Sequence, residues 1–211
     1  MNQIFLLLHK NREILNSEKL RLETELKKSA EEQAKAKEKL TKEFNYNSSN
    51  QFNGIISHLK RACGGNVHVK GVVNIKASSN RWNECHQLVD YGTIGLWGSN
   101  DEPNSWVSFD FKEKKISLSS YTLKSRIDAD CLHPVQWEIE GSNDESSWNS
   151  LDSRNTREQC GTGVVMNYSC NKGNHGFYRF IRMRQTGENS SGSGRHYLML
   201  SQIELSGKLL L

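Results

Sequence analysis

The side chains with the most chemistry to offer in this 211-residue chain are five cysteines, Cys63, Cys85, Cys131, Cys160 and Cys170, and seven histidines. The cysteine spacing fits no zinc-binding pattern. A nucleophilic or redox role for Cys160 or Cys170 would need a placed base, and the sequence locates none. The chain also lacks HExxH, GxSxG, a P-loop and a paired acidic constellation. Gly161-Thr162-Gly163 and Gly192-Ser193-Gly194 are short glycine loops that follow no nucleotide-binding pattern. His9, His58, His68 and His175 stand isolated, and each reads as a surface or hydrogen-bonded histidine rather than a general base. The expectation is a protein that binds and does not catalyse, with no metal and no cofactor.

Recognition is the chemistry left, and it falls on Arg81, Trp82, His86, Arg126, Asp128, His133, Arg195 and His196. Trp82 is the best single candidate, because it precedes Asn83-Glu84 in a polar setting where an aromatic has little reason to be core. What could gather these residues is a question of the elements around them.

Composition divides the chain. No Gly or Pro occurs before Gly54 and no Trp before Trp82, whereas 18 of the 34 residues from Lys10 to Glu43 are Lys, Arg or Glu. Residues 1–44 therefore read as a charged helix, the polar stretch 45–54 as a linker, and 55–208 as a loop-rich domain with an aromatic core. The net charge of +4 is spread evenly over both parts, which argues against nucleic acid or an anionic membrane surface as partner. The opening MNQIFLLLHK has neither a basic flank nor a small-residue cleavage site, and no stretch approaches the roughly 18 apolar residues of a membrane span. With an odd number of cysteines, these features point to a cytoplasmic chain with reduced thiols and no membrane insertion.

In the helical segment Leu8, Leu15 and Leu22 recur every seven residues, and Leu26, Gln33 and Leu40 continue on a neighbouring seam. Glu23 with Lys27, Glu31 with Lys35 and Glu38 with Lys42 have the favourable Glu-to-Lys order, about 0.2–0.5 kcal/mol each. Two readings stand: a coiled coil that makes a homo-oligomer or docks on a partner, and a solvated spacer, since Ser29 and Gln33 interrupt the seam.

After Gly71 the period changes to two. Val107, Phe109 and Phe111 share one face of WVSFDF, and Val135, Trp137 and Ile139 share one face of a second run. Similar runs occur at 71–79, 116–125, 177–183 and 198–205, an all-β sandwich pattern. Ala77-Ser78-Ser79, Leu88-Val89-Asp90, Trp97 and Trp106 to Phe111 together resemble the opening half of a discoidin, or coagulation-factor type C, domain. Trp137 to Asp144 with Trp148, then Arg179 to Arg182, then Ile203 to Gly207 resemble its second half. The resemblance covers about residues 55 to 208 and implies an eight-stranded jelly roll of the galactose-binding-like fold, with its ends close together. Most of the matching residues are structural: Trp97, Trp106, Trp137 and Trp148 read as core or wall, Arg179 and Arg182 as surface ion pairs, and Asn143 and Asp144 as a turn.

Strand direction then gathers the candidates. With 71–79 running up, WVSFDF down, 116–125 up, 177–183 up and the last strand down, the segments 79–105, 126–133 and 184–197 meet at one end. In the resembled family that end carries ligand recognition. Many lectin-like relatives also hold calcium near the Leu-Asp motif; Asp90 and the Thr93 hydroxyl match, but Gln202 replaces a glutamate and Gly92 offers no side-chain oxygen, so calcium is not expected. The leading expectation is a protein–protein interaction module, similar to the sandwich that follows a BTB adaptor domain in some multidomain proteins. The alternative is a carbohydrate-binding, lectin-like domain. A lipid-binding reading would need exposed apolar spikes that these loops lack.

Overall fold

The structure, a computed structural model, describes residues 2–91, 95–173 and 176–211. The chain forms two compact units that divide between Thr41 and Lys42. The first is a single helix, α1 (Asn2–Lys39). Its leucines 8, 15, 22 and 26 are 58–70% exposed, so the apolar stripe read from the sequence lies open along the helix. Ion pairs form at i,i+4 between Arg21 and Glu25 (3.0 Å) and between Lys19 and Glu23 (4.0 Å). The helix ends at Lys39, short of the residue 44 expected, which leaves Lys42 outside it and Glu38 to Lys42 without helical spacing. Lys37 and Lys39 occupy the last turn, where cations complement the helix dipole.

Residues 41–44 are a strand instead, β1 (Thr41–Phe44), all but its first residue in the second unit. β1 joins β11 (Gln202–Leu210), β5 (Lys115–Lys124) and β8 (Val165–Ser169) in a four-stranded sheet ordered β1-β11-β5-β8. The second sheet has five strands: β2 (Asn74–Ala77), β4 (Trp106–Asp110), β9 (Phe180–Gln185), β6 (Gln136–Ser142) and β7 (Asn149–Asn155), in that order. A ribbon of β3 (Trp97–Gly98) with β10 (Met199–Leu200) completes the fold. Every registered pair is antiparallel. β1 gives the two main sheets nine strands where the resemblance implied eight.

Alternation places the core as the sequence suggested. Val107, Phe109, Phe111, Trp137 and Ile139 are wholly buried, and Trp97 with them. Trp106 and Trp148 are half-buried walls, the Arg182 guanidinium lying 3.8 Å over the Trp148 ring. Arg179 clasps Asp110 near the surface, whereas Arg182, expected in a surface ion pair, bonds the buried carboxylate of Glu140. Asp144 accepts the Ser146 and Ser147 N–H groups in its turn. One buried polar cluster inside the sandwich is paired too. The Tyr121 hydroxyl donates to buried Asp152 (2.6 Å) and accepts the Trp137 indole N–H (2.8 Å), which avoids the penalty of an orphaned buried donor.

A second helix, α2 (Ile55–Cys63), covers the sandwich with Ile55, Ile56 and Leu59 buried. No side chain of its own turn caps it. Glu204 of β11, fully buried, does so from 148 positions away, accepting the Ile56 N–H at 2.9 Å and the Ser57 N–H at 3.0 Å. Gly64 closes the helix in the left-handed conformation (φ 68°), where L side chains are disfavoured. The start and the last strand of the sandwich are thereby fastened together.

Candidate functional site

The loop end is assembled from short backbone ties. Ser78 accepts the Trp106 N–H on its hydroxyl, and Ser79 accepts that of Asn100. Arg81 and Trp82 donate their N–H groups to the Gly98 carbonyl at 2.9 and 3.2 Å, and Gly98 returns its own to Trp82 at 3.1 Å. Gly98 is also paired with Met199 across the β3–β10 ribbon. A Cβ at position 98 would lie 2.6 Å from the Trp82 ring, so glycine is what lets the indole lie against the backbone. Beneath it the Trp97 indole N–H donates to Asn80 at 2.8 Å.

The segment 184–197 is held to this loop by Asp101. Its carboxylate accepts the His196 N–H (2.6 Å) and the Arg195 guanidinium (2.8 Å). These bonds, the first of them foremost, hold the Asp101 carboxyl below the usual carboxylate range. Tyr197 is thereby set beside Trp82, ring centres 5.2 Å apart. The Arg81 guanidinium lies 4.9 Å from the Trp82 ring and 5.6 Å from that of Tyr197. Arg81 is exposed and both rings are half-buried. The product is a patch of two aromatic faces and one cation.

The segment 126–133 closes the cluster from the other side. His133 is 1% exposed; its N–H donates to the Ser190 hydroxyl and its carbonyl accepts the Ser190 N–H. The His133 Nε2 lies 3.1 Å from Asp130. Arg126 is buried and grips Asp128 with both arms of its fork, at 2.8 and 2.7 Å, while its third nitrogen faces the sulfurs of Cys131 and Met199. The Asp128 bonds raise the Arg126 pKa further.

Of the eight sequence candidates, the structure therefore gathers Arg81, Trp82, Arg195 and His196 around Tyr197. It uses Arg126, Asp128 and His133 to hold the neighbouring loop in shape. His86 is elsewhere: its ring stacks on His68 at 5.0 Å, and His68 Nδ1 accepts the Ile75 N–H on the flank of β2. The reason is the 3₁₀ turn Cys85–Val89, which buries Cys85, Leu88 and Val89 and carries His86 away from the loops. Tyr197 and Asp101 were not among the candidates. The signal that could have found Tyr197 is an aromatic two residues after Arg195 in a segment already assigned to the loop end.

The calcium question has a local answer. The Lys60 ammonium donates to Asp90 Oδ1 (3.2 Å) and to the Val89 carbonyl (3.3 Å), so a cationic side chain holds the Leu-Asp carboxylate that a metal would need. Among the described residues, no cluster of acidic, histidine or cysteine side chains around Asp90 completes a calcium set. Gly92, Thr93 and His175 lie outside the described residues.

The two facing sheets, their order and the loops gathered at one end define a discoidin-like jelly roll of the galactose-binding-like type. No family model matches the chain. Among curated proteins it is 25% identical over 147 residues to the E3 ubiquitin-protein ligase Ufd4 of Drosophila melanogaster, a match that spans 66% of this chain and 5% of the ligase. Among solved structures, CpGH89CBM32-5 from Clostridium perfringens, in complex with GalNAc-β-1,3-galactose, superposes with a TM-score of 0.52 at 13% identity, covering 64% of this chain and 96% of that one. CBM32-3 from a family 31 glycoside hydrolase of the same bacterium gives 0.53 at 15% identity over 65% and 92%. The fucolectin of striped bass (Morone saxatilis) serum gives 0.51 at 17% identity over 67% and 48%. At these identities the likeness is one of fold.

Proposed function

We propose that the sandwich is a non-catalytic binding module of a cytosolic protein, holding a protein partner through the Arg81–Trp82–Tyr197 patch while α1 associates with a second copy of the chain. The observation that carries the reading is the patch itself. Its backbone is fixed by bonds to Gly98 and by the Asp101 tie, and the Arg81 guanidinium rests against the two rings, so part of the ordering entropy is already lost before binding. Trp, Tyr and Arg are the residues that dominate measured interface hot spots. The match to part of a much longer chain, the E3 ubiquitin-protein ligase Ufd4, supports a protein partner, and five cysteines present as free thiols suit a reducing compartment.

A carbohydrate-binding reading is favoured by a different observation. The neighbour CpGH89CBM32-5 was solved with GalNAc-β-1,3-galactose, and an exposed aromatic face beside polar side chains also suits a sugar ring. One comparison separates the two. Wild-type and Trp82→Ala chains are used in parallel for quantitative capture of cytosolic proteins and on an array of galactose-, GalNAc- and fucose-terminated glycans. Proteins captured only by wild type, with a blank array, support the proposal. Glycan binding abolished by Trp82→Ala establishes the second reading, and identical behaviour of the two chains removes this site. Sedimentation of the full chain tests association: a monomer at high micromolar concentration would end the role given to α1.

A further inference from the structure

The loop end contains three arginines among its candidates, and they are not equivalent. Arg126 is buried and doubly bonded to Asp128; Arg195 is bonded to Asp101. Arg81 alone of the three has no carboxylate within ion-pair distance among the described residues. Its backbone N–H is fixed to Gly98, and its guanidinium is held against the rings of Trp82 and Tyr197. Stacking on an aromatic uses the flat face of a guanidinium and leaves its in-plane N–H donors free. None of those donors has a protein acceptor among the described residues, and the residue is exposed. A planar fork held beside two rings, its donors without an acceptor among the described residues, matches a planar two-oxygen acceptor.

Resting on the reading of this patch as the binding site, we propose that Arg81 selects its ligand by a carboxylate, and that the ligand is an acidic peptide segment with an apolar or aromatic side chain beside the acid. The acid would meet the Arg81 fork, and its neighbour would lie on the Trp82 and Tyr197 faces. A phosphate dianion fits less well. Glu84, three residues from Arg81 and bonded to Asn80 at 2.9 Å, opposes a dianion more than it opposes a single carboxylate, and phosphate recognition uses clustered arginines, whereas Arg126 and Arg195 are already paired. Lysine at position 81 would keep the charge and lose the fork.

The probe is a phage-displayed library of random heptapeptides selected on the full chain. The same library is run on Arg81→Gln, Arg81→Lys and Trp82→Ala, each first shown to keep the wild-type thermal midpoint within a few degrees. The expected result is enrichment of Asp or Glu beside an apolar residue on wild type. Synthetic copies of those peptides should lose at least tenfold in affinity on Arg81→Gln, regain part of it on Arg81→Lys, and weaken as salt is raised. Selected peptides that depend on Trp82 but carry no acidic enrichment would overturn the carboxylate and leave the site standing. Failure to select any Trp82-dependent peptide, with no Arg81-dependent glycan bound either, would overturn the site and the inference together. Arg81-dependent binding to sialylated or uronic-acid glycans on an array, with no peptide selected, would overturn the peptide assignment in favour of an acidic sugar.

Discussion

Glu204 offers the sharpest test of how the sandwich holds itself together. Its Oε1 accepts the N–H groups of Ile56 (2.9 Å) and Leu205 (2.8 Å), and its Oε2 accepts that of Ser57 (3.0 Å), with no part of the side chain exposed. Glu204→Ala would leave three buried donors unpaired, each worth about 1–3 kcal/mol, and would remove an anion from a helix N-terminus, worth about 0.3–1 kcal/mol. Against this, the variant escapes the desolvation of a buried carboxylate, which is what pushes the Glu204 pKa up despite those same N–H bonds. Water entering the space left by the side chain would satisfy part of the rest. The net expected loss is about 3 kcal/mol. Glu204→Gln keeps one acceptor oxygen but sets an amide N–H₂ against one of the donors, for a loss of about 1–2 kcal/mol. Urea unfolding followed by tryptophan fluorescence reads the sandwich alone, because no Trp precedes Trp82. The pH dependence has a defined sign. A carboxyl whose folded pKa is raised contributes stability that is complete below its unfolded value of about 4.5 and is lost as pH rises through the folded value. Glu204→Gln should therefore flatten the decline in stability above pH 4.5. A loss under about 1 kcal/mol for the alanine variant, or a glutamine variant worse than alanine, would refute Glu204 as the cap of α2.

Three further outcomes are expected. Gly98→Ala should displace the Trp82 ring, which its Cβ would approach to 2.6 Å, at a stability cost of about 1–3 kcal/mol; acrylamide quenching, compared with Trp82→Phe, should show a more accessible indole. Tyr121→Phe should cost about 2–3 kcal/mol with an unchanged urea m-value, because it orphans the Trp137 N–H and removes a donor from buried Asp152; a cost near zero would mean that water replaces the hydroxyl. In native protein at pH 8, mass spectrometry after brief iodoacetamide treatment should find Cys85 and Cys170 modified last, since burial pushes their thiols up to about 11 and about 12. Fast reaction at either would contradict the packing around it.

How much of this was legible depended on where the information lay. The runs that bury one face, WVSFDF and the stretch through Trp137, reported their alternation directly, and with them the sandwich and the direction of its strands. β7 and β8 went unread because SLDSRN and VMNYS stand at sheet edges, where few positions are buried and the period-two signal fades. α2 was missed for a different reason: its cap is a glutamate on the far side of the chain, and no local pattern announces it. At the site, strand direction was enough to bring 79–105, 126–133 and 184–197 together. It could not show which charges were already paired. Arg126 and Arg195 look as available as Arg81 in sequence, and only the fold reveals that carboxylates two and 94 positions away have claimed them. His86 leaves the loop end because the 3₁₀ turn Cys85–Val89 inside 79–105 buries Cys85, Leu88 and Val89 and sets the His86 ring on His68.

The position of β11 has a consequence for synthesis. The last strand of the sandwich is not an edge; it lies between β1 and β5, and its glutamate completes the first helix of the sandwich. A chain emerging from the ribosome can form the five-stranded sheet early, but β5 waits with one side unpaired, and α2 waits uncapped, until residues 202–210 arrive. Such long-range closure is slow, and an open strand edge is a template for pairing with other chains. The appearance of residues 202–210, and not that of any earlier segment of the sandwich, becomes the event that commits this domain to its fold, and chaperone dependence should be concentrated in the interval before it.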